Sequence, residues 1–127
     1  MNKFGLHLVL ICLIFSGCDN DEAEFPELIT SAAQQIGSTS VVLEAEIKET
    51  GSIRPIRYGF FWSTTPGLNI FNTANKLDLG QASEKKKFSI KLESLSPNTQ
   101  YFVRSFSSDP DYSKIYYGNE ISFTTLN

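Results

Sequence analysis

The sequence predicts a single all-β domain, a β-sandwich of about seven strands. Two observations carry that reading. Apolar and polar residues alternate with a period of two over several short runs, and turn residues punctuate those runs about every 8–12 residues. No segment shows an amphipathic helical period of useful length, and there is no internal repeat or low-complexity stretch.

Each element has its own signal. Residues 28–34 supply the first strand. Val41-Val42-Leu43-Glu44-Ala45-Glu46-Ile47 points Val41, Leu43, Ala45 and Ile47 inward and its two glutamates outward. Gly51-Ser52 and Pro55 mark a loop. Ile56-Arg57-Tyr58-Gly59-Phe60-Phe61-Trp62 is rich in the aromatic residues that strands favour, and Thr65-Pro66-Gly67 breaks it. The stretch 63–80 is the least regular, with Leu77-Asp78-Leu79 as a short edge strand inside it. Phe88, Ile90 and Leu92 alternate inward over residues 88–93. Residues 99–107 form a strand with Tyr101, Val103 and Ser105 on one face and Phe102, Arg104 and Phe106 on the other. Asp109-Pro110-Asp111 makes a loop, and residues 116–125 form the last strand, with Gly118-Asn119 as an irregularity.

The first residues follow a different logic. Lys3 precedes an apolar run over residues 8–15, then come Ser16-Gly17-Cys18 and the acidic Asp19-Asn20-Asp21-Glu22. Eight apolar residues are too few to span a bilayer, which needs about 20. Positive, apolar, small is the layout of a cleaved secretory signal, although Phe15 spoils an ordinary cut after Gly17. The segment resembles a bacterial lipoprotein signal, in which the cysteine is lipidated and opens the mature chain; Phe15 stands where that family usually has leucine. The resemblance implies a signal peptide over 1–17, a lipidated Cys18 with an acidic tether over 18–27, and the sandwich over 28–127. It also implies more than one acyl chain, palmitate among them, and an outer-membrane location reached through that anchor. Acidic residues behind the cysteine resemble the export signal of surface-exposed lipoproteins in the Bacteroidota, and equally fit a plain solvated linker.

Composition narrows the chemistry. Of 127 residues, loss of the first 17 leaves 110, enough for one core. Only Lys3 among the charged residues leaves, so 10 basic side chains face 14 acidic ones, a net −4 that argues against a nucleic-acid partner. Lys85-Lys86-Lys87 reads as a solvated face. His7 and Cys12 go with the signal and Cys18 carries lipid, which leaves no disulfide, no thiol or histidine catalysis and no zinc site of the Cys/His type. Asp109, Asp111 and Glu120 are the remaining acid–base candidates; the first two read as turn residues, and two carboxylates are fewer oxygens than calcium wants. The chain has no glycine-rich phosphate loop and no Arg-Gly-Asp sequence. The expectation is a non-enzyme with no cofactor and no metal.

The most specific motif is Leu95-Ser96-Pro97-Asn98-Thr99-Gln100-Tyr101-Phe102-Val103-Arg104. It resembles the E–F corner of a fibronectin type III domain, with Leu95, Pro97 and Tyr101 as its tyrosine corner. Tyr58-Gly59-Phe60-Phe61-Trp62-Ser63 and residues 117–125 resemble strands C and G of the same immunoglobulin-like fold, in the form found in Bacteroidota surface lipoproteins. Residues 63–80 depart from the pattern.

Aromatic residues are the lead toward function. On strand C, either Tyr58, Phe60 and Trp62 or Gly59 and Phe61 face outward. The first choice gathers Tyr58, Phe60, Trp62, Phe102, Arg104 and Phe106 on one exposed face, able to meet a protein or stack on sugar rings. The competing assignment makes Trp62 a central core residue and Arg104 a stem laid along the sheet. Phe71, Tyr112 and Tyr116 are loop-borne alternatives. The resulting expectation is a non-catalytic, lipid-anchored envelope module that binds a surface protein or a glycan. The alternative is a structural envelope or assembly component with no soluble ligand.

Overall fold

The computed structural model describes residues 24–127. Cys18, residues 1–17 expected to form a signal peptide and residues 19–23 of the expected tether lie outside the described residues. Seven strands follow one another: β1 (Glu27–Thr30), β2 (Val41–Glu49), β3 (Ile56–Ser63), β4 (Asn75–Ala82), β5 (Lys86–Leu92), β6 (Gln100–Ser108) and β7 (Ile115–Thr124). They form a three-stranded sheet in the order β1-β2-β5 and a four-stranded sheet in the order β4-β3-β6-β7. Every neighbouring pair is antiparallel.

The period-two pattern is realised most cleanly in β2, where Val41, Leu43, Ala45 and Ile47 are buried and the residues between them are partly open to solvent. From the other sheet, Tyr58, Phe60, Tyr101, Val103 and Phe123 meet them in one core, joined by Phe88, Leu92 and Leu95. Phe88 is the aromatic hinge of this layer, with ring centroids 4.8 Å from Tyr58 and 5.1 Å from Phe60. Truncating a wholly buried ring such as Phe60 costs about 3–5 kcal/mol.

The corner segment leads into β6. Leu95 is buried in the core, the Ser96 N–H donates to Tyr101 Oη at 2.8 Å, and Tyr101 stacks on Phe123 at 5.7 Å. Thr125 braces the same corner, its hydroxyl accepting from the Thr99 N–H at 2.9 Å and donating to the Ser96 carbonyl at 2.6 Å. Two elements differ from the sequence reading. The first strand stops at Thr30 instead of running to Gln34, which rejoins the sheet through a separate bridge to Val42. The edge strand β4 spans eight residues instead of three, because pairing with β3 continues from Ile56↔Ala82 to Trp62↔Asn75.

Closure of the sandwich depends on β1 meeting β7, which belong to different sheets. The β6–β7 register shifts between Arg104 and Phe106, opposite Gly118-Asn119. The shift frees the Ser105 N–H, which donates to Thr30 Oγ1 at 3.0 Å. Thr30 Oγ1 and Ser105 Oγ also share a buried 2.8 Å hydrogen bond. Asn119 then acts as a side-chain strand: its Oδ1 accepts from the Thr30 N–H at 2.7 Å, and its Nδ2 donates to the Thr30 carbonyl at 2.9 Å. Gly118 makes the approach feasible, since a Cβ there would stand 2.1 Å from Ser105 Oγ and 2.9 Å from Thr30 Oγ1.

Gly118→Ala is expected to destabilise the domain by about 1–3 kcal/mol through forced displacement of β1, and Asn119→Ala by about 1–2 kcal/mol through loss of its paired bonds. Urea unfolding checks both; midpoints equal to that of the parent protein would show that this closure does not hold the sheets.

Candidate functional site

Alternation along β3 sends Tyr58, Phe60 and Trp62 toward the core and Gly59 and Phe61 to the outer face of the four-stranded sheet. The six residues expected on one exposed face are therefore divided. Tyr58 and Phe60 are buried in the main core, and Trp62 packs against it while half-buried. Phe102, Arg104 and Phe106 do lie on the outer side of β6, but Phe106 is 0% exposed. The physical reason is that this outer face is itself covered. Phe61, Phe106 and Leu68 form a second buried cluster, with Phe102, Tyr112 and Tyr117 packed around it. Phe61 sits 5.8 Å from Phe106 and 5.6 Å from Tyr117, centroid to centroid.

The cover is the β3–β4 loop, residues 64–74, with Leu68 as its plug. Arg104 and Glu120 face each other across β6 and β7 and grip Leu68 by both backbone groups. The Leu68 N–H donates to Glu120 Oε1 at 2.8 Å, and Arg104 Nη1 donates to the Leu68 carbonyl at 3.0 Å. Arg104 Nε donates to the Gly118 carbonyl at 2.6 Å, and its guanidinium lies 5.0 Å from the Tyr117 ring centre. Arg104 is thus committed to holding the loop, which corrects its expected place on an open binding face. Tyr117 Oη accepts from the Ile70 N–H at 3.2 Å.

The rest of the loop is tied to itself. Asn69 Oδ1 accepts from the Phe71 N–H at 2.8 Å, Asn72 Oδ1 from the Asn69 N–H at 2.9 Å, and Asn72 Nδ2 donates to the Gly67 carbonyl at 2.9 Å. Thr73 Oγ1 donates to the Trp62 carbonyl at 2.6 Å and closes the loop on the end of β3. These bonds fix the backbone on both sides of Phe71, whose side chain is 91% exposed. No other large apolar side chain among the described residues stands so far into solvent. The loop's own sequence is neutral: residues 58–75, between Arg57 and Lys76, include no charged side chain, and the charged groups that touch the loop, Arg104 and Glu120, are engaged with the Leu68 backbone.

A second clamp covers the other half of the face. The β6–β7 loop brings Tyr112 over β4, where its hydroxyl donates to Asp78 Oδ2. Arg57 Nη1 donates to the same oxygen at 3.2 Å, Arg57 Nε donates to the Pro110 carbonyl at 2.9 Å, and Lys76 Nζ lies 4.3 Å from the Tyr112 ring centre. Tyr112 adopts a left-handed backbone, φ +60°, a strained conformation for an aromatic residue that these contacts hold in place. Burial raises the Asp78 pKa, but hydrogen bonds from Tyr112 and the Gly80 N–H, with the Arg57 charge, outweigh it and hold the carboxyl below its usual value. Burial and the bond to Asp78 push the Tyr112 phenol up to about 12.

The remaining candidates are structural in their contacts. Asp109 accepts from the Ser113 hydroxyl and from the Lys114 N–H at 3.0 Å, and Asp111 accepts from the Ser113 N–H at 3.2 Å, so both carboxylates serve the loop's own turns. No cluster of three His, Cys, Asp or Glu side chains able to hold a metal ion is present among the described residues. Lys85 pairs with Glu49 at 3.2 Å, and Lys86 donates to Tyr58 Oη at 3.0 Å.

No family model matches the chain, and no curated protein matches it in sequence. Solved structures share its fold. The sensor domain of the anti-sigma factor RsgI4 of Pseudobacteroides cellulosolvens superposes with a TM-score of 0.56 at 14% identity, over 80% of this chain and 90% of that one. The fibronectin type III domain of human fibronectin type III domain containing protein 3 gives a TM-score of 0.53 at 14% identity, over 79% of this chain and 84% of that one. A fibronectin type III domain from human KIAA0970 protein gives 0.53 at 19% identity, over 84% and 77%. The chain is a fibronectin type III-like β-sandwich.

The two pKa shifts set the pH response of the second clamp. Asp78 is depressed in the fold, so its contribution is present above the unfolded carboxylate value and is lost as pH falls through the lower folded value. Tyr112 is raised, so its contribution is complete below about pH 10 and is lost as pH rises toward about 12. Tyr112→Phe should therefore flatten the fall in melting temperature across that alkaline window and lessen the acid sensitivity. Melting curves with unchanged slopes in both windows would contradict the clamp.

Proposed function

We propose that the chain is a non-catalytic binding module, held at a bacterial outer membrane by lipid on Cys18, that meets a glycan or surface-protein partner through the 64–74 loop. The observation that carries this reading is Phe71. A phenyl ring 91% exposed is costly to leave in water, and here it is displayed on a backbone already fixed by hydrogen bonds on either side. The absence of charged side chains from the loop's own sequence suits a sugar ring or an apolar pocket on a protein better than an ionic partner. The likeness to a sensor domain and to fibronectin modules supports a role without catalysis. The contact moves from the sheet to the loop, because the sheet's outer aromatics are covered.

That same cover favours a second reading, a purely structural envelope component. A sheet face sealed by the protein's own loops needs no ligand to shield it.

A glycan array and a surface-protein binding screen with the mature chain, run beside Phe71→Ala, separate the two. Phe71→Ala should keep its stability within about 0.5 kcal/mol, since the side chain is almost wholly solvated, and should lose binding by tenfold or more, about 1.4 kcal/mol. Equal binding by both proteins would remove the loop from the site, and no binding to any candidate would leave the structural reading. For the anchor, Cys18→Ala should lose the acyl mass in intact mass spectrometry and leave the membrane fraction.

A further inference from the structure

The end of the sandwich where β1 begins carries an apolar surface that the loop site does not use. Phe25, 57% exposed, lies 6.0 Å from the Tyr116 ring, and Ile53 beside it is 44% exposed. Pro26, Ile53, Ile56 and Tyr116 line a shallow hollow between them, edged by Glu24 and Asp109. The chain's approach to this surface is fixed. The Glu24 carbonyl accepts from the Ser52 N–H at 3.1 Å and from its hydroxyl at 3.3 Å. Gly51 permits that seat, with φ +75° and no Cβ where one would meet the Glu24 carbonyl and Pro26 at 2.9 Å.

Chain length then decides what this end faces. Five residues, 19–23, separate Cys18 from Glu24, so six Cα–Cα steps reach about 20 Å at full extension. An acyl anchor on Cys18 thus holds Phe25, Ile53 and Tyr116 within reach of the lipid headgroups, where aromatic and aliphatic side chains partition favourably. Register places the 64–74 loop differently, since it leaves β3 and enters β4 at the opposite end, at Trp62↔Asn75. Charge selects among lipids. The carboxylates that edge the hollow are Glu24 and Asp109, and the tether that leads to it adds Asp19, Asp21 and Glu22 with no basic residue. An acidic excess of this kind is repelled by anionic lipid.

We propose that Phe25, Ile53 and Tyr116 form a membrane-contact face that rests on a zwitterionic lipid interface. The proposal rests on the reading of Cys18 as lipidated. It fixes the orientation of the domain: the β1 end lies on the bilayer and the 64–74 loop is rooted away from it.

The test uses the purified, lipidated mature protein in phosphatidylcholine vesicles and in vesicles enriched in phosphatidylglycerol, with brominated phosphatidylcholine as quencher. Phe25→Trp and Ile53→Trp are each made in a Trp62→Phe background, with Phe71→Trp as the remote control. Fluorescence from position 25 or 53 should be quenched about twofold or more, less so with phosphatidylglycerol, while position 71 stays unquenched. Equal quenching at 25, 53 and 71, or none at 25 and 53 in protein that sediments with vesicles, would overturn the contact face and leave the anchor intact. Protein without acyl mass that stays in the supernatant would overturn both. Concentration-dependent dimerisation of the detergent-solubilised protein, abolished by Ile53→Ser, would instead assign the surface to a second copy.

Discussion

Contact between Thr30 and Ser105 is the constraint from which the rest of the sandwich follows. The two residues lie on different sheets and bond through a buried hydroxyl pair, in space that a side chain at position 118 would occupy. β1 is only four residues long and offers few ladder bonds of its own. It stays in place because Asn119 satisfies both backbone groups of Thr30 from across the gap. That amide also occupies backbone groups of an edge strand, which would otherwise be open to pairing with another chain. With β1 seated, Leu28 closes the core from its side and residues 24–26 reach the β2–β3 turn.

The bulge that admits Thr30 also shapes the outer face. Arg104 lies just before the register shift, and the guanidinium reaches the Gly118 carbonyl on one side and the Leu68 carbonyl on the other. One side chain therefore couples the irregularity in β7 to the loop that covers Phe61 and Phe106. A buried second cluster on what would normally be the wet side of an antiparallel sheet is the outcome. The domain gains a second small core, and the loop gains a floor rigid enough to hold an exposed phenyl ring.

Much of this was legible in the sequence, and the failures have physical causes. β2 and β5 alternate cleanly because each has one face on the main core, β6 alternates only as far as Ser105 because its outer face is covered from Phe106 on, and the segment from Leu95 to Tyr101 marks a corner whose hydrogen bond is local. The Gly118-Asn119 pair signalled an irregularity, though nothing in the sequence said that Thr30 would fill it. The consecutive Phe60-Phe61-Trp62 carries the signal of the covered outer face, since unbroken apolar residues in a strand mean that both faces are covered. Leu68 was invisible, because a lone leucine after Pro66-Gly67 has no periodicity to report its burial. Tyr112, read as a contact residue, is engaged by Asp78 and Lys76, partners distant in sequence. Phe71 is legible in the sequence as a loop-borne aromatic, but the bonds that immobilise it come from asparagines that sequence alone reads as ordinary turn residues.

A rigid, uncharged loop has kinetic consequences for any partner that docks there. Residues 58–75 add no charge of their own to the encounter, so an uncharged partner such as a neutral glycan would associate at the unassisted rate of about 10⁵–10⁶ M⁻¹s⁻¹. The backbone around Phe71 is already ordered and does not wait on a folding step. Discrimination between partners would then lie in how long each remains seated rather than in how often each arrives.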